Sequence, residues 1–249
     1  MVLYVRELLK RIEDFVARYR EYDDRSNYFF ISIGAAFFAL FIFLSFMGHY
    51  LIYGNWNFDM STIQYIHNLR TERLNSIFKI VTRTGNTIPV IMLTLLVSFV
   101  LFYAGCNKDG VFFMYNTFGL WIFNEMLKHI FKRPRPSNFR IMEASGYSFP
   151  SGHAMISMGF SVLLVYHIVA HIRNRKGAFA ICMLIFMYPV VIGLSRVYIG
   201  VHYLSDVMAG WMAGVLWSSS NIVIYKFLSY KRHFVQISNN IVGYKNIGK

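Results

Sequence analysis

The sequence predicts an all-α fold, an integral-membrane bundle of six transmembrane helices with short interfacial helices, and three observations carry that expectation. The chain has 249 residues, of which 56% are hydrophobic and 18% aromatic while only 15% are charged; a soluble domain carries about 25% charged residues. Six apolar segments approach the roughly 20 residues a helix needs to cross a bilayer. The basic residues behind the net charge of +13 fall mostly between those segments. In a soluble protein such a charge would suggest nucleic acid. In this pattern it fits membrane topology and anionic headgroups, so membrane lipids and not nucleic acid are the expected partners.

The elements follow in order. Residues 1–27 form a charged leader in which Leu3, Leu8, Leu9, Ile12, Phe15 and Val16 share one helical face, accompanied by Arg6, Lys10, Arg11, Arg18 and Arg20. Two readings of it stand, an interfacial helix on an anionic leaflet and a solvated helical tail. The first apolar run, 28–50, ends in Met47, Gly48, His49 and Tyr50 instead of small residues at a cleavage site, so it reads as a retained span. Tyr50, Tyr53 and Trp56 follow as an interfacial belt. Residues 58–83 are too polar to span. Ile63, Ile66 and Leu69, then Leu74, Ile77, Phe78 and Val81, recur at helical spacing and predict one or two short helices on the membrane face. Gly85-Asn86-Thr87 punctuates this stretch. The remaining spans are 86–104, 111–131, 152–172, 177–194 and 206–228. Their even spread favours one membrane domain over 28–229, preceded by the leader and followed by a tail over 230–249. Cys106 and Cys182 imply neither a disulfide framework nor a thiolate metal site.

Lysine and arginine counts set the topology. With the N-terminus inside, the leader, 105–110, 171–177 and the tail are cytoplasmic and hold most of the basic residues. The outer segments hold Arg70, Arg73, Lys79, Arg83, Lys132, Arg133, Arg135, Arg140 and Arg196. Both termini are then cytoplasmic. Three polar blocks far apart in sequence share the outer face of the cell membrane.

Those blocks are KHIFKRPRP (128–136), PSGH (150–153) and SRVYIGVHYLSD (195–206). Cations at a membrane boundary are costly unless they meet an anion. Lys128 sits near the end of the third span; Pro134 and Pro136 stop the helix and let Arg135 fold back over the same spot. An ammonium and a guanidinium fork suit phosphate oxygens. Pro150 opens the fourth span, where Ser151 and Gly152 are expected to leave free backbone N–H groups, an anion site, beside His153. Ser195 and Arg196 end the fifth span. His202 and Asp206 are four apart and share one face if helical. A carboxylate bonding one imidazole nitrogen fixes the tautomer and frees the other nitrogen to attack. The residues alone do not decide which histidine attacks, although the carboxylate partner favours His202.

K-x6-RP, PSGH and SR-x5-H-x3-D together resemble the three signature blocks of the type 2 phosphatidate phosphatase superfamily, which includes lipid phosphate phosphatases, bacterial phosphatidylglycerophosphate and undecaprenyl-diphosphate phosphatases, and vanadium haloperoxidases. The resemblance is complete at Lys128, Arg135, Pro136, Pro150, Ser151, Gly152, His153, Ser195, Arg196, His202 and Asp206. It implies hydrolysis of a lipid phosphate or polyprenyl diphosphate through a phosphohistidine. By the same resemblance His202 is the nucleophile, Asp206 orients it, and His153 protonates the leaving group and later activates water. Lys128, Arg135, Ser151, Gly152 and Arg196 hold the phosphoryl oxygens. The expected substrates are phosphatidylglycerophosphate, undecaprenyl diphosphate, phosphatidate or a related lipid.

No cofactor and no metal are expected. The outer face offers few acids, Asp59, Glu72 and Glu143, with Asp206 committed to His202, whereas a catalytic Mg²⁺ or Zn²⁺ site gathers several. Glu125, a turn before Lys128, neutralises it, tunes it or faces another helix. Asn124 reads as an interhelical hydrogen bonder. Glu143 and Tyr147 read as loop residues and His129 as a bystander. His49, His67, His167, His171 and His233 lack motif partners and default to interfacial or solvated positions. Two competing functions stand, a lipid-phosphate binding or transport protein that keeps the anion cradle, and a haloperoxidase.

Overall fold

The computed structural model describes residue 7 and residues 26–171 and 175–247, the side chains of 26, 170, 171, 175 and 233–247 excepted. The leader over 1–27 therefore lies almost wholly outside the described residues, as do the side chains of His171 and His233 and those of the tail from 233 onward. Among the described residues eight helices follow one another: α1 (Ser26–Tyr53), α2 (Asn57–Asn68), α3 (Glu72–Thr84), α4 (Thr87–Tyr103), α5 (Asn107–Phe131), α6 (Gly152–His171), α7 (Arg175–Tyr198) and α8 (Leu204–Ile247). Among the described residues there is no strand.

Each of the six apolar segments is helical, but α1, α6, α7 and α8 alone are each long and apolar enough to cross a membrane. A fifth crossing is possible if α3 and α4, bent by 50° at their break, count as one broken span. α4 is short, at 17 residues, and α5 carries Asn116, Asn124, Glu125 and Lys128 within its 25 residues. The polar stretch after α1 is two short helices, as its periodicity predicts. The Thr71 hydroxyl caps α3 by accepting from Leu74 N–H at 3.2 Å, and Pro89 falls in the first turn of α4, where its missing N–H costs nothing. α5 stops at Lys132, whose φ of 47° is left-handed, just before Pro134.

The chain divides into two compact units, Met1–Gly34 with Ser220–Lys249, and Ala35–Ser219. In the first, Phe29 and Tyr230 are buried among Phe30, Ile33 and Val223. In the second, α6 packs against α5 and α7, α5 against α4, and α2 and α3 against α7. Its main core gathers Phe43, Phe46, Leu120, Leu127, Phe131, Phe149, Met155, Ala209 and Ala213. α8 approaches α6 closely through Gly210 and Gly214; a Cβ on Gly210 would lie 2.7 Å from the Ser151 carbonyl oxygen. Pro189, inside α7, cannot donate to the carbonyl of Ile185, and the Ser161 hydroxyl of α6 donates to that oxygen instead, at 3.3 Å.

The connection 132–151 is long and irregular, yet well fastened. Ser148 N–H donates to Arg133 O at 2.8 Å and Ile141 N–H to Ile199 O at 3.1 Å. Arg70 donates to the carbonyls of Phe139 and Tyr198. Gly200, with φ 76°, lies against this connection, and a Cβ there would meet Phe139 O at 2.5 Å. An irregular loop held this firmly is a scaffold for side chains.

Candidate active site

His202 lies in the tight turn between α7 and α8, ahead of the helix that carries Asp206. The expectation that the two share a helical face is thus corrected: the turn brings them together. His202 is 1% exposed and Asp206 is fully buried. The Nε2 atom of His202 stands 2.9 Å from Arg135 Nη1. A guanidinium can only donate, so Nε2 holds the lone pair and Nδ1 the proton. Nδ1 is 3.5 Å from Asp206 Oδ2, beyond a short direct bond. The Ser148 hydroxyl fills the gap: Oγ is 3.4 Å from Nδ1 and donates to Asp206 Oδ2. Sequence reasoning missed Ser148, two residues before PSGH. Burial first, and then the positive charges of Arg135, Arg196 and Lys128, hold the His202 imidazole well below its ordinary value of 6.5. It is neutral at pH 7, as a nitrogen nucleophile must be.

The cations converge on this imidazole. Arg135 folds back as predicted, donating to Val201 O at 3.0 Å and to Ser145 O at 3.0 Å; burial draws its pKa down from the ordinary value. Arg196 donates through Nη1 to the Thr82 hydroxyl at 2.8 Å, while its buried Nε has no partner. Ser151 Oγ is likewise buried without a partner. Unsatisfied buried donors of this kind call for an occupant. Lys128 Nζ pairs with Glu125 Oε1 at 2.9 Å, which settles Glu125 as its neutralising partner.

The start of α6 differs from expectation in one respect. The Ser151 N–H is not free; it donates to Asp206 O at 3.0 Å. Met155 N–H closes the first turn on Ser151 O at 2.9 Å, so the N–H groups of Gly152 and His153 lie before the helix's own ladder begins. Gly152 is required by its neighbour: a Cβ would fall 2.7 Å from Asn124 Oδ1. Asn124 is an interhelical hydrogen bonder, donating to Pro150 O at 3.5 Å. His153 Nε2 meets Asn86 Oδ1 at 2.9 Å, and Asn86, at the α3–α4 break, was read from sequence only as punctuation.

Arg133 and Asp59 were counted in the sequence as an outer cation and an outer acid. Both are fully buried, and Arg133 bridges Asp59 at 2.7 Å and Asp206 at 2.5 Å. Asp206 is therefore shared between His202 and Arg133. Among the described residues no cluster of three or more His, Cys, Asp or Glu could hold a metal ion. His129 is exposed and bonds Glu125 O at 2.7 Å. His49 stacks on Trp56, centroids 3.6 Å apart, and His67 lies against Phe139. His167 is buried at 5% exposure, not interfacial or solvated, because it packs beside Phe113 and Tyr166.

Residues 109–232, which contain all three blocks, match the PAP2 superfamily. The chain is 30% identical over 153 residues to phosphatidylglycerophosphatase B of Bacillus subtilis (strain 168), covering 59% of this chain and 73% of that protein. It is 26% identical over 166 residues to an undecaprenyl-diphosphatase of Sulfolobus acidocaldarius, covering 64% of this chain and 75% of that one. Its fold matches the crystal structure of a transmembrane PAP2-type phosphatidylglycerolphosphate phosphatase from Bacillus subtilis with a TM-score of 0.72 at 23% identity, over 77% of this chain and 96% of the other. With a relative 30% identical matched over 73% of its length, the chain belongs to the PAP2 superfamily.

Proposed function

We propose that this protein is a multi-pass membrane phosphatase that hydrolyses a lipid phosphate or polyprenyl diphosphate through a phosphohistidine on His202. One observation carries the reading. The buried, unpartnered Ser151 Oγ and Arg196 Nε belong to a site where Arg135, Arg196 and Lys128 all act on a neutral imidazole whose Nε2 keeps its lone pair.

In the first step His202 Nε2 attacks phosphorus, the bond to the leaving oxygen breaks, and His153 gives that oxygen a proton. The imidazole becomes cationic and Asp206 stabilises it, directly and through Ser148. In the second step His153 takes a proton from water, the water oxygen attacks phosphorus, the N–P bond breaks and phosphate leaves. Lys128, Arg135, Arg196, Ser151 and the Gly152 N–H hold the equatorial oxygens, where most of the rate acceleration in phosphoryl transfer arises. The three cations supply the charge neutralisation that a metal provides elsewhere, so no metal is assigned. We take α4 and α5 as crossings as well, six in all; the lysine and arginine counts then favour both termini inside and the site at outer headgroup depth. Phosphatidylglycerophosphate and undecaprenyl diphosphate, on which the named relatives act, are the first substrates to test.

The test is phosphate release by purified protein from a lipid panel, in EDTA, with ³²P-labelled substrate used to trap an acid-labile, base-stable phosphoenzyme. Wild type is expected to turn over in EDTA and to label. His202→Ala should do neither. Near-normal turnover by His202→Ala would overturn the assignment, and activity restored only by Mg²⁺ would overturn the three-cation chemistry.

A further inference from the structure

Beneath His202 lies a second charged cluster, built on Asp59, Arg133 and Asp206, of which only Asp206 is a signature residue. The guanidinium of Arg133 uses all five of its donors. Nε and Nη2 donate to Asn55 Oδ1 at 3.1 and 2.7 Å, Nη2 also to Asp59 Oδ2 at 2.7 Å. Nη1 donates to Ser205 Oγ at 2.8 Å and to Asp206 Oδ1 at 2.5 Å. The rings of Tyr203 and Tyr50 lie 4.2 and 5.1 Å from the guanidinium carbon. Asp59 is equally committed: Ser205 N–H reaches Oδ1 at 3.0 Å and Ser205 Oγ reaches Oδ2 at 2.6 Å. Asp59 lies in α2, outside the residues that match the superfamily.

Charge balance gives this cluster a task. A buried carboxylate needs a counter-charge, and Arg133 supplies it to Asp206. Alone, however, that guanidinium would cancel the negative charge that His202 requires when it becomes cationic. Asp59 restores it. The row Asp59⁻, Arg133⁺, Asp206⁻ carries net −1, and the end nearest the imidazole is the carboxylate. A purely geometric clamp would need Arg133's hydrogen bonds but not a second acid.

We propose that Asp59 is a positioning residue for catalysis, acting through Arg133 to keep Asp206 both fixed and fully effective as the counter-charge of the phosphorylated His202. The proposal rests on the phosphohistidine reading. The other charged groups that act on His202 are Arg135, Arg196 and Lys128, and His153 lies in the field of the same cations.

Asp59→Asn tests it: the amide oxygen keeps an acceptor for Ser205 N–H, while the NH2 in place of Oδ2 removes the charge together with the acceptor used by Arg133 Nη2 and Ser205 Oγ. On one substrate, kcat should fall by about tenfold, the low end of what outer partners of a functional histidine cost, with KM changed less than twofold. The acid limb of kcat should move to lower pH, because a less compensated imidazolium forms less readily. Asp59→Asn/Arg133→Gln removes both charges, returns net −1 to Asp206, and should bring the acid limb back to its wild-type position. If Asp59→Asn alone does not fold, the double variant is compared with Arg133→Gln: an acid limb at lower pH in the double variant supports the proposal, and coincident limbs overturn it. An unmoved limb in folded Asp59→Asn also overturns it, whatever the loss of rate. A wild-type protein that forms no phosphohistidine instead sinks the reading beneath, a result seen separately in the labelling assay.

Discussion

At the scale of single residues, His202 is an imidazole kept neutral by burial in a positive surround. That state has a thermodynamic signature. A histidine whose proton affinity is depressed in the folded protein contributes stability in full above about pH 6.5, its unfolded value, and loses it as pH falls from there. The sign is clear: below that pH the unfolded chain binds a proton that the folded chain refuses. His202→Asn retains a donor where Nδ1–H stood but cannot titrate. The difference in unfolding free energy between wild type and variant should therefore swing toward the variant on acidification, by up to ~1.4 kcal/mol per pH unit. Thermal or denaturant unfolding from pH 7.5 to 5.0 measures it. A difference independent of pH would mean that folding leaves the proton affinity of His202 unchanged. Residues with a motif partner were legible in the sequence at this scale. Ser148 and Arg133 were not, because their significance lies in contacts with Asp206 58 and 73 positions away, and no periodicity encodes such a contact.

At the scale of elements, the break between α3 and α4 matters more than either helix. It delivers Thr82 to Arg196 and Asn86 to His153, so one kink serves both the cradle and the leaving-group side. Asp206 gives His202 a charged neighbour, whereas Asn86 gives His153 a neutral one. A histidine that must release its proton to an alkoxide is better served by an uncharged partner. This contrast supports the division of roles that the residues alone left open. Asn86→Ala should slow turnover of a lipid phosphate roughly tenfold, as loss of a group that orients a functional histidine does, while leaving p-nitrophenyl phosphate, whose leaving group needs little protonation, within about twofold. Equal losses on both substrates would show that Asn86 only supports the fold. The sequence marked the break through Gly85-Asn86-Thr87 and both short helices through their spacing. It did not mark what the break carries, since an Asn between two helices reads as a cap. Ser161 satisfying the Ile185 carbonyl opposite Pro189 was invisible for the same reason: the partners lie on different helices.

At the scale of the whole molecule, the all-helical fold, the positions of all six apolar segments and the convergence of three distant blocks were legible. Asp59 shows where the reading stopped. In the sequence it read only as one of the few acids of the outer face, and its bonds to Arg133 and Ser205 reveal it as buried. Membrane orientation has a direct check. In a background lacking Cys106 and Cys182, a cysteine at Asn138 should react with an impermeant thiol reagent on intact cells, and one at Lys108 should not. The reverse pattern would invert the topology and move hydrolysis to the cytoplasmic leaflet.

The contact between Arg135 and the lone pair of His202 has a consequence for life inside a bilayer. A lipid phosphatase is surrounded by a solvent of phosphodiesters, each offering phosphorus at the same depth as its substrate. A nucleophile left bare would meet that crowd continuously. Here the nitrogen is stoppered by a guanidinium, and the ligand best able to draw the stopper off is one with enough negative charge to hold it. A terminal phosphate carries up to two charges; a bulk phospholipid diester carries one, with its oxygens already esterified on both sides. On the proposed phosphohistidine mechanism, the resting site rejects the membrane by valence before any acyl chain or headgroup is inspected.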